Sequence, residues 1–291
     1  MKRFVLVGVV LSAAVLMALA VAQNEVQNPA DPPALGIQWA KGFAHVGGAT
    51  SSPDMTWNGG LVMPTSTVHA IFWGRSWATS QGDKIAGMDS FYAGFGGSNY
   101  AKTSDEYSGA NGQVTSTLSY GGHTVDTSMA AGGNRTSSIL KEVCKVITNP
   151  VTNGYYPVYT DLKRSGNYCA YHSWGSCGGV PIQFAFFWNL DGDAGCDPQS
   201  TVSGQSQGLA ALANVSAHEI SEARTDPRGT GWFDSAGAEN GDKCAWTFGA
   251  SSVALSNGTN WKLQGEWSNA AYDSGSGYPN NSGQKGCLGG N

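Results

Sequence analysis

The chain has 291 residues, 41 of them glycine, and only 13% of its residues are charged. Average proteins contain ~25% charged residues and ~7% glycine, so this composition is unusual for an intracellular enzyme. Disorder and a collagen-like structure are both excluded, because 41% of the residues are hydrophobic and the glycines follow no three-residue period.

The first 22 residues have the pattern of a secretory signal peptide. Lys2 and Arg3 precede an apolar stretch over residues 4–19, and Ala20 and Ala22 supply the small residues that a signal peptidase requires. An uncleaved anchoring helix is the alternative, but the chain that follows is polar and contains proline. We therefore expect a signal peptide at 1–22 and a secreted, extracellular or periplasmic, protein with no membrane contact after cleavage.

The charge of the mature chain limits its partners. Without Lys2 and Arg3, 14 basic residues remain against 21 acidic ones, a formal charge of −7. Such a balance argues against nucleic acid and against anionic membranes as partners. An extracellular polymer or a protein substrate is the expected partner, and the oligomeric state is left open.

The cysteine count fits an exported protein. Six cysteines in an oxidising compartment indicate up to three disulfides rather than thiolate metal ligands. Fifteen pairings are possible, and the sequence does not choose among them. Cys169 and Cys177, which flank a short Gly/Ser/Trp segment, are the expected local pair. The other four are Cys144, Cys196, Cys244 and Cys287.

The first half of the chain predicts a flexible segment followed by one folded domain. Residues 23–55 are rich in Ala, Pro and Gly and are expected to be flexible, whereas residues 56–291 form a single globular domain with a Gly/Ser-rich C-terminal tail. Val68–Trp73 is a β-branched and aromatic run that predicts a buried strand. Apolar residues at helical spacing predict a helix from Ser80 to Phe95.

The second half adds two helices and two strands. A helix is predicted from about Arg135, ending before Asn149–Pro150, and another spans roughly Ser206–Thr225. Strands are predicted at Pro157–Leu162 and Ile182–Trp188. The fold class is therefore α+β, with a mixed, mostly buried sheet, about three principal helices and a zincin-like arrangement as an option.

The densest polar feature lies at the end of the third predicted helix. His218 and Glu222 are four residues apart, so they project from one helix face about one turn apart. This resembles the His-Glu-x-x-His pattern of zinc peptidases, in which the Glu is the general base. Here a carboxylate replaces the second His, and carboxylates also bind Zn²⁺. Glu219 is then the candidate catalytic residue.

Further metal ligands are expected from outside this motif. Asp226 lies ~12 Å along the axis from His218, which is too far for one ion unless the helix ends and the chain turns back. Glu239 and Asp242 in the following loop are further candidates, and His172 is the best remaining nitrogen donor. The alternative is that these carboxylates form a solvated or ion-paired helix end.

With these residues in view, the chain resembles the phosphate-induced, Exordium-like family of secreted proteins, in particular its microbial branch. The resemblance covers most of residues 57–268. It rests on Gly59–Met63, Ile71–Gly74, Gly97–Tyr100 with Glu106–Tyr107, Tyr168–Ser173, His218–Pro227, Gly231–Asp234 and Glu239–Cys244.

The resemblance implies a limited amount about function. Plant members of this family are cell-wall-associated proteins without an established reaction, and they keep the stretch corresponding to Thr225–Pro227 but not the His-Glu pair. The present chain has both, as microbial relatives tend to, which implies a metal site here.

Two hypotheses follow. In the first, the chain is a secreted zincin-like metal-dependent hydrolase, possibly a peptidase, in which His218 and Glu222 hold Zn²⁺ with one or two of the other candidates. In the second, it is a non-catalytic extracellular protein that binds wall polymer or a partner, and the carboxylates hold a structural ion or loop hydrogen bonds.

Overall fold

The computed structural model describes residues 31–43, 53–79, 82–202, 204–249 and 252–290. The predicted signal peptide at 1–22 lies outside these residues. Within the described part of the chain, no helix is long and apolar enough to cross a bilayer.

The described residues form fifteen strands and six α-helices, joined by turns and loops. The strands are β1 (Leu35–Trp39), β2 (Thr56–Trp57), β3 (Ser66–Trp73), β4 (Ser108–Gly109), β5 (Gly112–Gln113), β6 (Leu118–Asp126), β7 (Gly154–Lys163), β8 (Tyr168–Cys177), β9 (Val180–Asn189), β10 (Trp232–Phe233), β11 (Val253–Ala254), β12 (Asn260–Trp261), β13 (Glu266–Trp267), β14 (Tyr278–Pro279) and β15 (Lys285–Leu288). The helices are α1 (Lys84–Phe95), α2 (Asn99–Lys102), α3 (Thr136–Val146), α4 (Gln207–Thr225), α5 (Asn240–Lys243) and α6 (Asn269–Asp273), with a 3₁₀ turn at Arg75–Ala78.

A six-stranded mixed sheet forms the centre of the fold, in the order β1-β8-β9-β7-β3-β6. Strands β6, β3, β7 and β9 run parallel, β8 is antiparallel to β9, and β1 is antiparallel to β8. The three long helices are α1, α3 and α4. The α+β prediction with a mixed, mostly buried sheet is therefore confirmed, whereas the zincin-like arrangement stays a prediction.

The central strands are buried because helices cover the sheet. Parallel strands covered on both faces are continuous apolar runs rather than alternating ones, and β9 follows this rule. In the middle of the sheet the ring of Tyr159 stacks on those of Phe72 and Phe187, with centroids 5.1 and 4.6 Å apart. This rigid centre fixes the edge at which β8 and β1 lie.

Part of the segment predicted to be flexible belongs to the sheet. Leu35–Trp39, inside the predicted flexible stretch 23–55, forms β1 and pairs with β8, Leu35 opposite His172 and Trp39 opposite Tyr168. Its apolar residues Leu35, Ile37 and Trp39 alternate with Gly36 and Gln38, but a run of five residues is too short to be a strong signal. Its order comes from the unpaired edge of β8, which is a template for a further strand.

Three disulfide bonds cross-link the described residues: Cys144–Cys177, Cys169–Cys196 and Cys244–Cys287. The expected Cys169–Cys177 pair is wrong. Both residues lie on the extended strand β8, eight positions and ~26 Å apart, far beyond disulfide reach. The first two bridges join β8 to α3 and to the loop after β9, and the third joins the end of α5 to β15. Three disulfides are typical of a protein that folds in an oxidising compartment.

Candidate metal centre

Helix α4 carries the His-Glu-x-x-Glu motif into the core. Ser206 caps the N-terminus by accepting a hydrogen bond from Leu209 N, and the helix ends before Pro227, which cannot extend it. The helix packs against β1, β8, β9, α1 and α5. His218, Glu219 and Glu222 are therefore fully buried.

Two residues from other elements meet the motif. His172 lies on β8, and Glu239 directly precedes α5. The His172 Nε2 atom lies 3.4 Å from Glu239 Oε2, and His218 Nε2 lies 3.0 Å from Glu222 Oε2. One ligand atom each from His172, Glu222 and Glu239 lies within 4.8 Å of the others, and the same holds for His218, Glu222 and Asp242.

The converging atoms are not satisfied by the protein. Four side-chain atoms are buried and neither donate nor accept a hydrogen bond: His172 Nε2, His218 Nε2, Glu222 Oε2 and Glu239 Oε2. Buried polar atoms are normally paired, because leaving one unpaired costs about 1–3 kcal/mol. Four such atoms, divided between two groups that share Glu222, indicate a missing partner at this place.

The geometry of these atoms fits a divalent cation. Ligands ~2.1 Å from a tetrahedral Zn²⁺ lie about 3.4 Å apart. The distances of 3.0 and 3.4 Å within the two His–Glu pairs agree with that spacing. Two imidazoles and two carboxylates are also a donor set that Zn²⁺ accepts.

Neighbouring groups hold the donors in place. Glu222 Oε1 accepts a hydrogen bond of 2.9 Å from Asp242 N, which leaves Oε2 facing the histidines. On the other side of the imidazole, the Gln264 amide nitrogen lies 3.0 Å from His218 Nδ1 and donates to Gly241 O at 3.0 Å. These contacts fix the plane of the His218 ring, with Nε2 toward the carboxylates.

Asp242 belongs to the convergent group of His218 and Glu222, whereas Asp226 has a different part. Asp242 Oδ1 lies 3.9 Å from His218 Nε2, and its Oδ2 accepts a hydrogen bond from Glu239 N. Asp226 Oδ1 accepts from Thr230 N and Gly231 N, both at 2.7 Å. Among the described residues Asp226 therefore belongs to neither convergent group and instead closes the turn after α4, because the helix axis carries it away from His218.

Burial governs the protonation of the two histidines. Burial, and to a smaller extent the nearby His218, lowers the pKa of His172 to about 3. Burial likewise lowers the pKa of His218 to about 4, against the opposing charge of Asp242. Both imidazoles are neutral at pH 7, which is the form that binds metals.

The carboxylates are shifted in the opposite direction. Burial, and then the charge of Glu222, raises the pKa of Glu219 and of Glu239 well above the usual range. Burial also raises the pKa of Glu222 itself, and burial followed by Glu222 raises that of Asp242 to about 8. Several carboxyl groups packed this closely in a dry site need positive charge among them to be ionised together.

Strand β1 covers the site. Gly36 has a φ of +47°, and a Cβ atom on it would lie 2.1 Å from Glu222 Oε2 and 2.6 Å from His172 Nε2. Only glycine fits there, both sterically and for its φ. Two residues on, Gln38 N lies 3.4 Å from Glu219 Oε1 as its hydrogen-bond donor, while Glu219 Oε2 is unpaired.

A cleft of about 460 Å³ opens beside β1. Its walls include Gly36, Phe233 and Ala245, and Glu239 and Asp242 line its inner end. The other convergent donors lie behind β1 rather than on the cleft wall. The site therefore adjoins a cavity large enough for a ligand, and Gly36 of β1 covers Glu222 and His172.

The sequence predicts the motif, His172 and the downstream carboxylates as site residues. It does not predict Gly36, Gln38, Gln264 or Glu266. Glu266 is fully buried near Glu222 and accepts a hydrogen bond of 2.5 Å from the Tyr100 hydroxyl. No spacing rule links these residues to α4, since they come from β1 and from the segment entering β13.

Comparison of the chain with protein-family models, with curated proteins and with solved structures gives no match. The functional argument therefore depends on the residues of the site alone.

Proposed function

We propose that the protein is a secreted metal-dependent hydrolase, with peptides as its substrate class. The observation that carries the proposal is a pair of overlapping groups of donor atoms that share Glu222, one with His172 and Glu239 and one with His218 and Asp242. Four of these atoms are buried and unpaired, and they lie next to a further unpaired carboxylate oxygen on Glu219. His172, His218, Glu222 and Glu239 would be the four donors that hold Zn²⁺. When bound, the ion would polarise a carbonyl and lower the pKa of a water molecule.

Glu219 is the group that moves the proton. It follows His218 on α4, its Oε1 faces Gln38 N, and its Oε2 has no partner. During hydrolysis Glu219 takes a proton from the attacking water as the water oxygen bonds to the carbonyl carbon. It then gives the proton to the amine nitrogen as the C–N bond breaks. General acid–base catalysis of this kind contributes typically 10²–10⁴-fold.

The test separates metal binding from proton transfer. Glu219→Gln keeps the four donors and should keep Zn²⁺, while hydrolysis of fluorescein-labelled casein falls at least 100-fold. His218→Ala should lose both. If Glu219→Gln hydrolyses casein at the wild-type rate with zinc bound, Glu219 is not the base and the proposed reaction is wrong.

One observation favours a second candidate, a structural ion. All four donors are at most 5% exposed as side chains, and β1 covers them. Structural zinc sites have four protein ligands, whereas catalytic ones keep an open position. In this case casein is not hydrolysed by any variant, and removal of zinc lowers the unfolding temperature without another effect.

A further inference from the structure

The cover over the metal centre is made of backbone. Gly36 presents its Cα directly to Glu222 Oε2 and His172 Nε2, so that no side chain fits between them. While β1 is in place, neither water nor a substrate carbonyl reaches these donor atoms from the cleft. A catalytic centre needs such an approach, and this strand blocks it.

The same strand contacts the rest of the catalytic apparatus. Gln38 N faces Glu219 Oε1 at 3.4 Å, and the Gln38 side chain donates to Gln264 Oε1 at 3.3 Å. Gln264 in turn contacts His218 Nδ1. Strand β1 therefore contacts both Glu219, the candidate base, and Gln264, whose amide lies beside His218.

The attachment of β1 to the sheet is irregular. It is an edge strand with register pairs to β8 at Leu35, Gln38 and Trp39 and irregularities between each pair. Leu35, Ile37 and Trp39 are only half-buried, whereas Gln38 is fully buried. Without β1, the outer backbone groups of β8 would be unpaired next to His172, and an extended peptide can satisfy such an edge as an added strand.

We infer that β1 is an internal cover that occupies the place of the substrate. When β1 moves into the adjoining cleft, an extended peptide binds antiparallel to the edge of β8 and brings one of its carbonyl groups to the position of Gly36. The inference rests on the proposed function for the identity of the site, but the displacement of β1 can be tested without any catalysis.

Gly36→Ala in the full mature chain is the direct perturbation, and Gly42→Ala is its matched control. Both glycines have positive φ, so both substitutions carry similar backbone strain. The added methyl group at Gly36 overlaps Glu222 and His172, whereas at Gly42 it meets no atom within 4 Å. Only Gly36→Ala should lift β1 from the site.

The probe is a fluorescein-labelled peptide with the sequence of residues 34–40. It should bind Gly36→Ala at least tenfold more tightly than wild type or Gly42→Ala, by fluorescence anisotropy. The same peptide carrying alanine at the position of Gly36 should not bind. Casein hydrolysis by Gly36→Ala should rise at least tenfold, and the additional Glu219→Gln change should abolish the rise.

Each outcome decides a separate point. If folded Gly36→Ala does not bind the peptide, β1 is a fixed part of the fold and the inference is overturned, whatever the zinc content. If the peptide binds but no variant contains zinc, β1 is a cover and the proposed hydrolase fails. Should Gly36→Ala not fold, hydrogen exchange of wild type decides: β1 amides must exchange at least 100-fold faster than those of β8 facing β9, and equal protection overturns the inference.

Discussion

Replacement of one donor carboxylate should weaken zinc binding without lowering the stability of the metal-free protein. In Glu222→Gln the amide oxygen can still accept the hydrogen bond from Asp242 N, and the residue keeps its shape, but the charge that crowds Glu219, Glu239 and Asp242 is gone. We therefore expect the metal-free variant to be at least as stable as metal-free wild type at pH 7.5, while its affinity for Zn²⁺ falls at least 100-fold.

The size of the effect follows from linkage. Zinc at 100 times its Kd stabilises wild type by ~2.7 kcal/mol, and the same concentration stabilises a variant that binds 100-fold more weakly by ~0.4 kcal/mol. For a domain of this size 1 kcal/mol corresponds to roughly 2–4 °C. Zinc should thus raise the unfolding temperature of wild type by about 5–10 °C and that of Glu222→Gln by about 1 °C.

The assay is differential scanning calorimetry with and without zinc, after dialysis against a chelator. Glu142→Gln is the matched control, because Glu142 is also a buried carboxylate with a raised pKa but lies on α3, outside both convergent groups. The control should keep the full zinc shift. A metal-free Glu222→Gln several kcal/mol less stable than wild type, together with an undiminished zinc shift, would refute the reasoning.

Three further predictions follow from the same structure. Burial and Asp126 raise the pKa of Glu142 from 4.5 to about 7, so the folded state binds more protons than the unfolded state and its stability falls as pH rises through that window. Glu142→Gln should gain about 1–2 kcal/mol over wild type between pH 4.5 and 7 and no more above it, by urea unfolding; a constant difference would contradict the assignment. Removing either the Cys144–Cys177 or the Cys244–Cys287 bridge should cost about 2–4 kcal/mol, but only the second, at the end of α5, should also weaken zinc binding in chelator competition; equal weakening by both would show a merely global effect. Gln264→Met, which removes the amide beside His218 Nδ1, should weaken zinc binding 10–100-fold without loss of fold, and an unchanged affinity would exclude an orienting role for Gln264.

Local patterns predict the long elements well and the short edge strand poorly. The helices at 84–95, 136–146 and 207–225 contain apolar residues at helical spacing over 11 or more residues, a local pattern that does not depend on the rest of the chain. Strand β1 depends on an edge created by β8, about 130 residues away, and the alternation of its apolar residues spans only five positions. The disulfide pairing fails for the same reason, since it depends on which strands become neighbours.

In the candidate site, too, local features can be predicted from the sequence and long-range contacts cannot. The helical spacing of His218 and Glu222 is a local property, so the sequence predicts that pair and its shared face. Sequence also identifies His172 and Glu239 as donors by their chemistry, but not their 3.4 Å separation, which arises because β8 and α5 both pack against α4. Gly36 and Gln264 act through backbone and amide contacts, and these residue types are common enough elsewhere in the chain to give no signal.

The most direct measurement of the central claim is the zinc content of the purified mature chain by elemental analysis. His218→Ala is compared with His123→Ala, since His123 is a partly exposed histidine paired with Asp89 at 2.8 Å, away from the site. The account predicts about one zinc per chain in wild type and His123→Ala, and less than a tenth of that in His218→Ala. Negligible zinc in all three proteins, or the same zinc content in all three, would contradict it.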